Sequence, residues 1–230
     1  MVSAIVCAYN EEKTIGPILE VLLSHPKVDE VIVVDDGSTD RTGKIIDSIK
    51  SDKLIKIHHP KNLGKGTAIV SATKESKGGF LVFIDGDLVK FHPAHIDLLL
   101  SPLAVNPNSM VIGLREPVKP LDKPVASIMK LFNGERALLR NHLIKLLPRI
   151  EKSGYGVEVI MNLYWSHHKY PIYYVPLPGL VHILKQDKHP FYKYAADYLQ
   201  EGKDIVKQYI NPDNNTMDQF LKKLVAKFGI

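Results

Sequence analysis

The chain has 230 residues, of which 45% are hydrophobic and 24% are charged. This is the composition of an ordinary globular protein, and it excludes a disordered or collagen-like chain. A single cysteine, Cys7, excludes an internal disulfide framework and a multi-cysteine metal site. No apolar run reaches the roughly 18 residues of a membrane span, and the first residues lack the features of a signal peptide. We therefore predict a cytoplasmic protein.

The formal net charge is +5, from 30 basic and 25 acidic residues. A basic balance suits anionic ligands such as nucleotides or phosphorylated acceptors, and it also suits the cytoplasmic face of a membrane. Basic residues are not interleaved with exposed aromatic residues in any run, so nucleic acid is not expected as a partner.

Residues 1–113 alternate short β-branched runs with helical periods, which predicts an α/β fold with a parallel, doubly wound sheet. The site of such a sheet lies at the carboxyl ends of its strands. Strands are predicted at Val2–Ala8, Val31–Val34, Leu54–His58, Phe80–Ile84 and Met110–Gly113. The predicted helices are one capped by Asn10 with Ile15, Ile18, Leu19 and Leu22 inward, one with Ile45, Ile46 and Ile49 inward, one ending at Ser76, and one near Ala94–Leu100.

Residues 114–190 differ in character from the first part of the chain. The segment Arg115–Pro124 is rich in proline and charge, which predicts a loop that crosses the site. Val125–Leu147 is predicted to be largely helical, with a break at Asn133-Gly134. A further helix is expected after Gly154-Tyr155-Gly156, and a strand is expected at Ile172–Val175.

Residues 191–230 are predicted to form a helical tail with an apolar stripe beside several lysines. Such a stripe either packs on the domain or docks on a membrane surface or a partner. Peripheral membrane contact through this tail and a homodimer are both compatible with the sequence.

Two carboxylates lie one residue apart, at Asp85 and Asp87, directly after the fourth predicted strand. Either both reach a divalent cation, or one binds the cation while the other holds sugar hydroxyls. Mg²⁺ or Mn²⁺ with oxygen ligands neutralises a diphosphate as it leaves. The alternative without a ligand is a turn at the end of the strand, capped by the aspartates.

A second group of polar residues follows the second and third predicted strands. The carboxylates of Asp35 and Asp36 can accept the imide N–H of uracil and hold a ribose hydroxyl. Asn10, at a predicted helix start, presents backbone N–H groups near a nucleotide. Lys65, between Gly64 and Gly66, can place its ammonium group against phosphate. Each feature alone also fits a turn, a cap or a solvated lysine, but together at strand ends they favour a nucleotide site.

These residues resemble the GT-A glycosyltransferases of the family 2 type, across roughly residues 1–113. The shared pattern is, in order, Ala8-Tyr9-Asn10-Glu11-Glu12, Asp35-Asp36-Gly37-Ser38-Thr39-Asp40, Asn62-Leu63-Gly64-Lys65-Gly66 and Asp85-Gly86-Asp87. The resemblance implies the GT-A fold, a Rossmann-like, mostly parallel sheet flanked by helices.

The same resemblance implies roles for individual residues. Asp36, with Asp35, would bind the base, and Lys65 would bind the nucleotide. Asp87 would bind the metal, with Asp85 toward the ribose and sugar. The implied nucleotide-sugar site comprises Ala8, Tyr9, Asn10, Glu12, Asp35, Asp36, Ser38, Gly64, Lys65, Asp85, Gly86 and Asp87.

The second half is similar to the glucosyl-3-phosphoglycerate synthases, through Asn133-Gly134-Glu135-Arg136-Ala137, Gly154-Tyr155-Gly156-Val157-Glu158-Val159 and His182. This similarity implies a retaining enzyme that uses UDP- or GDP-sugars. Glu158 would face the donor sugar or the acceptor as a catalytic residue with Asp85, and His182 would bind the metal beside Asp87. The implied acceptor site comprises Arg115, Asn133, Gly134 and Arg136. Because the segment Arg115–Pro124 does not match the acceptor segment of those synthases, the identity of the acceptor stays open.

We therefore predict a glycosyltransferase that depends on Mg²⁺ or Mn²⁺ and retains configuration. It would move a sugar from a nucleoside-diphosphate sugar, with UDP favoured, to a small phosphorylated or anionic acceptor. Residues 1–113 would bind the nucleotide sugar and residues 114–190 the acceptor, with 191–230 as the tail. The alternative is an inverting family 2 enzyme that acts on a polyprenyl or dolichyl phosphate at the membrane surface.

Two further alternatives belong to other classes of protein. A sugar-nucleotide pyrophosphorylase would need a glycine-rich, arginine-bearing loop after the first strand, where Tyr9-Asn10-Glu11-Glu12 stands instead. A nucleotide-binding module without catalysis would keep the same fold, and a turnover assay with a panel of donors separates it from an enzyme.

Overall fold

The structure is a computed structural model that describes residues 1–115, 133–151, 153 and 156–182. For His182 only the backbone is described. The described residues all lie within one compact unit. The predicted loop beyond Arg115 and the predicted helical tail at 191–230 lie outside the described residues.

The described helices and strands alternate along most of the chain. In chain order they are β1 Val2–Ala8, α1 Ile15–Ser24, β2 Glu30–Asp35, α2 Thr42–Ser48, β3 Leu54–His58, α3 Lys65–Glu75, β4 Phe80–Asp85, β5 Leu88–Val89, α4 Pro93–Val105, β6 Met110–Arg115, β7 Arg136–Leu139, α5 Arg140–Ile144, α6 Leu147–Ile150, α7 Val157–His167, β8 Ile172–Leu177 and β9 Val181–His182. Every strand and helix predicted for residues 1–113 is confirmed within a few residues at its ends.

The main sheet has the strand order β3-β2-β1-β4-β7-β6-β8. All neighbouring strands are parallel except β7, which runs antiparallel to β4 and β6. The predicted mostly parallel sheet flanked by helices is therefore confirmed. Since β7 runs in the opposite direction, its first residues lie at the same edge as the carboxyl ends of β4 and β6.

The prediction of a helix across Val125–Leu147 is wrong at Arg136–Leu139, which forms the strand β7. Ala137 and Leu138 are fully buried in the middle of the sheet. Alanine and leucine favour helices in isolation, but pairing with strands on both sides overrides a weak local preference. The short helices α5 and α6 follow directly, and residues before Asn133 in this segment lie outside the description.

The predicted cap at Asn10 is also wrong, because α1 begins at Ile15 after Thr14. Asn10 has a φ of 55°, in the left-handed region that asparagine tolerates better than most residues. Its side-chain Oδ1 instead accepts a hydrogen bond from the backbone N–H of Thr39, at 2.8 Å. Asn10 therefore links the loop after β1 to the loop after β2.

The core follows the predicted periodicity. The inward residues of α1 recur at helical spacing and are all buried, while β2 is buried along its whole length as a strand covered on both faces should be. No helix in the described ranges is both long and apolar enough to cross a membrane.

Candidate active site

A cavity opens at the edge of the sheet where the carboxyl ends of β1 and β4 meet the start of β7. Its polar lining comes from five elements or the turns beside them, and its floor is apolar. The lining residues are Ile5, Cys7, Lys65, Ile69, Phe83, Ile84, Asp85, Gly134, Arg136, Val157, Glu158 and Met161. The structure thus brings together residues from both halves of the predicted site.

Lys65 is the central cation of this cavity. Its Nζ lies 2.9 Å from Asp85 Oδ1 and 2.8 Å from Glu158 Oε1. Burial alone would lower the pKa of Lys65, but the carboxylates of Asp85 and Glu158 outweigh burial and raise the pKa well above its usual range. Lys65 is therefore held as an ammonium ion between the two residues that the sequence predicted to be catalytic.

Arg115 and Glu135 form a second charged pair beside the first. Arg115 Nε lies 3.2 Å from Glu135 Oε2, and Arg115 Nη1 lies 3.8 Å from Asp85 Oδ2. Burial raises the pKa of Glu135 to about 7, although the charge of Arg115 opposes this shift. For Arg115 itself, burial lowers the pKa, but the charges of Glu135 and Asp85 raise it further than burial lowers it.

We expect Glu135→Gln to change how stability depends on pH. Since the pKa of Glu135 rises from 4.5 to about 7, folding favours the protonated carboxyl. The stability that the protonated Glu135 carboxyl contributes is fully present below about pH 4.5 and is lost as the pH rises through about 7. The glutamine variant cannot ionise, so at pH 8 it should be more stable than the wild type by on the order of 1–3 kcal/mol. Urea unfolding at pH 5 and pH 8 measures this difference.

Glu75→Gln is the matched control, because Glu75 is an exposed glutamate on α3. It should leave the pH dependence of the free energy of unfolding unchanged. If Glu135→Gln instead lowers stability equally at both pH values, the ion pair with Arg115 dominates and the expectation is wrong.

Gly134 allows β7 to start against Asp85. A Cβ atom at Gly134 would lie 2.3 Å from Asp85 Oδ2, and the carboxylate is already held by Lys65 and Arg115. Only glycine permits so close an approach. The sequence assigned Gly134 and Asn133 to the acceptor, and the structure places Gly134 directly beside Asp85, which the sequence assigned to the ribose and sugar.

The two predicted metal ligands lie in or next to a short two-stranded sheet after β4. β5 pairs with β9 in an antiparallel manner, with Leu88 opposite His182. Because Asp87 directly precedes Leu88, this pairing brings the backbones of Asp87 and His182 close together in space. The described side chains contain no group of three His, Cys, Asp or Glu residues able to hold a metal ion, and the side chain of His182 is outside that set. A carboxylate and an imidazole are suitable donors for Mn²⁺, and a carboxylate is suitable for Mg²⁺.

His95 ties α4 to the turn that leads into β9. Its Nδ1 accepts the backbone N–H of His92 at 3.1 Å, so its Nε2 carries the proton and donates to the Pro178 carbonyl oxygen at 3.0 Å. Burial lowers the pKa of His95, which keeps this neutral tautomer. The position of β9 beside β5 thus has a second anchor besides strand pairing. Thr14 contacts the turn between β4 and β5, where its Oγ1 donates a hydrogen bond to the Gly86 carbonyl oxygen at 2.6 Å.

Asp36 lies at the end of β2, and 4% of the residue is exposed. Its Oδ1 accepts hydrogen bonds from His59 Nδ1 at 2.7 Å and from the backbone N–H of Leu63 at 3.0 Å. Its Oδ2 accepts the backbone N–H of Gly64 at 2.8 Å, where Gly64 has a φ of 90°. The carboxylate predicted to bind the base therefore also orders the loop that carries Lys65.

The side chain of Asp35 contacts the loop after β2 and the end of β3. Its Oδ1 accepts the backbone N–H of Ser38 at 3.0 Å, and its Oδ2 lies 3.3 Å from His58 Nδ1. Both oxygens are thus engaged by the protein. Asp35 and Asp36 therefore both lie at the carboxyl end of β2 with each carboxylate oxygen engaged by the protein.

The loop after β1 is clasped to the loop after β2. Ser38 Oγ accepts the backbone N–H of Asn10 at 3.0 Å. Glu12 Oε2 accepts the backbone N–H of Arg41 at 3.1 Å, and these bonds to Arg41 lower the pKa of Glu12. Tyr9 is 40% exposed while Ala8 is buried. The predicted residues Ala8, Tyr9, Asn10 and Glu12 therefore lie at the end of β1 and in the loop after it. Glu12 stabilises this loop through Arg41, and Ala8 is buried.

Arg136, which the sequence assigned to the acceptor, is almost fully buried. It is 1% exposed, and its Nε donates to the carbonyl oxygen of Asn133 at 2.9 Å while its Nη1 donates to Asn162 Oδ1 at 2.7 Å. Burial lowers its pKa. Although Arg136 lines the cavity, its guanidinium group is held by Asn133 and Asn162, which favours a role in bracing the start of β7.

Sequence reasoning missed three residues at this edge. Glu135 lay inside a segment predicted to be helical, and its partner Arg115 is distant in sequence. Cys7 lines the cavity, where burial raises the pKa of its thiol to about 12. His59 follows β3 next to Pro60, and its position directly after a strand was the signal that could have identified it.

A family model described as Glycosyl transferase family 2 matches residues 3–157. The chain is 28% identical over 144 residues to a dolichyl-phosphate beta-glucosyltransferase of Trichomonas vaginalis, covering 56% of this chain and 43% of that protein. It is 35% identical over 111 residues to a glucosyl-3-phosphoglycerate synthase of Mycolicibacterium paratuberculosis, covering 44% of this chain and 33% of that one. The matches therefore span less than half the length of both relatives.

A solved structure also resembles this chain over most of its length. It is the crystal structure of glucosyl-3-phosphoglycerate synthase from Mycobacterium tuberculosis with Mn²⁺, uridine diphosphate and phosphoglyceric acid, with a TM-score of 0.69 and 24% identity. The likeness covers 93% of this chain and 80% of that one. At this level of identity it shows the fold.

Proposed function

Because the chain belongs to glycosyl transferase family 2, we propose that it transfers a sugar from a nucleoside-diphosphate sugar, with UDP as the nucleotide, to a small phosphorylated or anionic acceptor. The observation that carries this proposal is the position of Lys65 between Asp85 and Glu158. These residues come from three separate elements and meet at the carboxyl edge of the sheet, where doubly wound folds bind nucleotides.

The metal in this proposal is Mg²⁺ or Mn²⁺, held by Asp87 and His182. The pairing of β5 with β9 brings the backbones of these two residues close together. Two solved structures of the synthase from Mycobacterium tuberculosis contain uridine diphosphate, one with Mn²⁺ and one with Mg²⁺. When bound, such an ion supplies positive charge that stabilises the diphosphate as it leaves.

The other residues of the site bind and orient the substrates. Asp36 accepts a hydrogen bond from the base, Asp85 faces the ribose and the sugar, and Lys65 places positive charge beside the diphosphate. Glu158 faces the sugar or the acceptor. Since Lys65 holds both Asp85 and Glu158, neither stands ready as the general base that inversion requires. Front-side transfer with retention needs no such base, and we therefore favour retention.

The acceptor in this proposal is anionic, and Arg115 is the residue that receives it. Arg115 ends β6 at the edge of the cavity, where 16% of its side chain is exposed. Asn133 directly precedes Gly134, which lines the cavity. In this proposal the acceptor binds on the side of Arg115 and Asn133, and the nucleotide sugar binds to the predicted residues of 1–113.

A lipid phosphate acceptor is the second candidate, since one relative is a dolichyl-phosphate glucosyltransferase matching 56% of this chain. In that case the enzyme would act by inversion at a membrane surface. A transfer assay with UDP-glucose, Mn²⁺ and either 3-phosphoglycerate or dolichyl phosphate distinguishes the two acceptors. Proton NMR of the product reports retention or inversion. Absence of transfer to either acceptor, with every nucleotide sugar tested, would contradict the proposed activity.

We expect Asp36→Asn to weaken the binding of uridine and of UDP alike. The contact is to the base, so the loss does not depend on phosphate. Losing one charge-assisted hydrogen bond should cost about 1.5–3 kcal/mol of binding free energy. Calorimetric titration with both ligands measures it.

Asp47→Asn is a matched control for Asp36→Asn, because the Asp47 side chain is 65% exposed. It should leave both affinities unchanged. If Asp36→Asn leaves uridine binding intact while UDP binding collapses, Asp36 acts on the phosphates and the assignment is wrong.

A further inference from the structure

The carboxylate of Asp36 is almost fully used by the protein itself. His59 Nδ1 and the backbone N–H of Leu63 both bind Oδ1, at 2.7 and 3.0 Å, and the backbone N–H of Gly64 binds Oδ2 at 2.8 Å. An ionised carboxylate offers about four lone-pair positions, two on each oxygen. These contacts leave one acceptor position, and that position is on Oδ2.

The low exposure of Asp36 also limits which ligands can contact its carboxylate. The side chain is 6% exposed, so a ligand can approach only a small part of the carboxylate. A single N–H donor fits such a surface. A fork of two N–H groups that needs both oxygens does not fit, because Oδ1 is occupied by His59 and Leu63.

The nucleobases differ in the donors that they present to such a group. Uracil presents one imide N–H between two carbonyl oxygens. Guanine presents a ring N–H and an amino group side by side, which pair best with both oxygens of a carboxylate. Adenine and cytosine present an amino group beside a ring nitrogen that is an acceptor, and a carboxylate repels that nitrogen. The single remaining position on Asp36 therefore matches the one imide N–H of uracil better than the paired donors of guanine.

The imidazole of His59 is fixed in the orientation that this selection requires. Its Nε2 lies 3.0 Å from Ser71 Oγ on α3, and its side chain is 8% exposed. Because an ionised carboxylate only accepts, Nδ1 carries a proton, and in the neutral imidazole Nε2 then accepts the Ser71 hydroxyl. His59 is thus braced on one side and donates to Asp36 on the other.

We propose that His59 determines base selectivity, by occupying Asp36 Oδ1 so that the carboxylate accepts one N–H from uracil and rejects the paired donors of guanine. This inference rests on the proposed function, since it takes Asp36 as the residue that binds the base. It adds a residue that touches no substrate and acts through Asp36.

The test is calorimetric titration of UDP and GDP in Mn²⁺ with the wild type, His59→Leu and His59→Asn. A hydrogen bond to a charged group corresponds to about a 10–100-fold change in affinity, so the wild type should prefer UDP by at least about tenfold. In His59→Leu the position on Oδ1 is open, and the preference should fall to within about threefold. His59→Asn keeps an N–H donor near the position of Nδ1 and should retain most of the preference.

The asparagine variant separates selection from general damage to the loop. Lower affinity for both nucleotides with an unchanged ratio in His59→Leu would show a purely structural role and would overturn the inference. Equal binding of UDP and GDP by the wild type would overturn it without touching the proposed activity. Binding of neither nucleotide by the folded wild type would overturn the proposed function and this inference with it.

Discussion

Asp87→Ala is expected to abolish the metal-dependent part of UDP binding and to lower turnover by at least about a hundredfold, since a metal ion supplies several kcal/mol of charge stabilisation to a leaving diphosphate. Asp87 directly precedes β5, and β5 pairs with the strand that ends at His182. Removing this carboxylate takes away the anionic ligand of the proposed metal. In this variant, Lys65 would be the principal positive charge available to the diphosphate of UDP.

The measurement is the dissociation constant of UDP in Mn²⁺ and in EDTA. For the wild type we expect tighter binding in Mn²⁺, and for Asp87→Ala we expect the same value in both. His182→Ala should weaken the metal effect and be partly rescued by excess Mn²⁺, because one ligand remains. Asp97→Ala is a suitable control, since Asp97 pairs with Lys27 at the surface and should leave the metal effect intact. Equal UDP affinity of the wild type in EDTA and Mn²⁺ would contradict the metal site.

The donor side of this site could be predicted from the sequence because its signals are local. Asp36 and Asp85 each come directly at the end of a hydrophobic run, and parallel strands bring their carboxyl ends to one edge. The alternation of strands and helices predicts a parallel sheet, and the meeting of these residues follows from that topology. The order of the motifs along the chain then indicated the family.

The acceptor side could not be predicted equally well, because it depends on contacts between distant segments. β7 has helix-forming residues and is a strand only because β4 and β6 lie on both sides of it. The burial of Arg136 and the pairing of Glu135 with Arg115 follow from that strand. No periodicity in residues 133–139 signals either contact.

The contacts of Asp36 show the same limit within the donor half. The sequence indicated that this carboxylate faces a base, but it gave no sign that His59 occupies one of its oxygens. A hydrogen bond between the ends of two neighbouring strands depends on side-chain direction, which spacing alone does not fix. The selectivity proposed for His59 could therefore come only from the structure.

Lys65→Met is expected to lower the free energy of unfolding by about 2–4 kcal/mol, since removing one partner of a buried ion pair leaves uncompensated charge. The Lys65 side chain is 27% exposed, and Asp85 and Glu158 are 23% and 8% exposed. Without the ammonium group, these two carboxylates face each other across the cavity. Arg115, at 3.8 Å from Asp85, compensates only one of them. We expect UDP binding to weaken in the same variant, because the counter-charge for the diphosphate is lost.

Lys27→Met is the matched control, because Lys27 also pairs with an aspartate but its side chain is 58% exposed. A surface pair contributes less than about 1 kcal/mol, so this variant should unfold at nearly the wild-type urea concentration. Urea unfolding without metal at neutral pH compares the two. Added Mn²⁺ should recover part of the stability lost in Lys65→Met, because a cation bound by Asp87 and His182 partly offsets the negative charges of Asp85 and Glu158. A Lys65→Met variant as stable as Lys27→Met would show that solvent screens the cavity and that Lys65 does not hold Asp85 and Glu158 together.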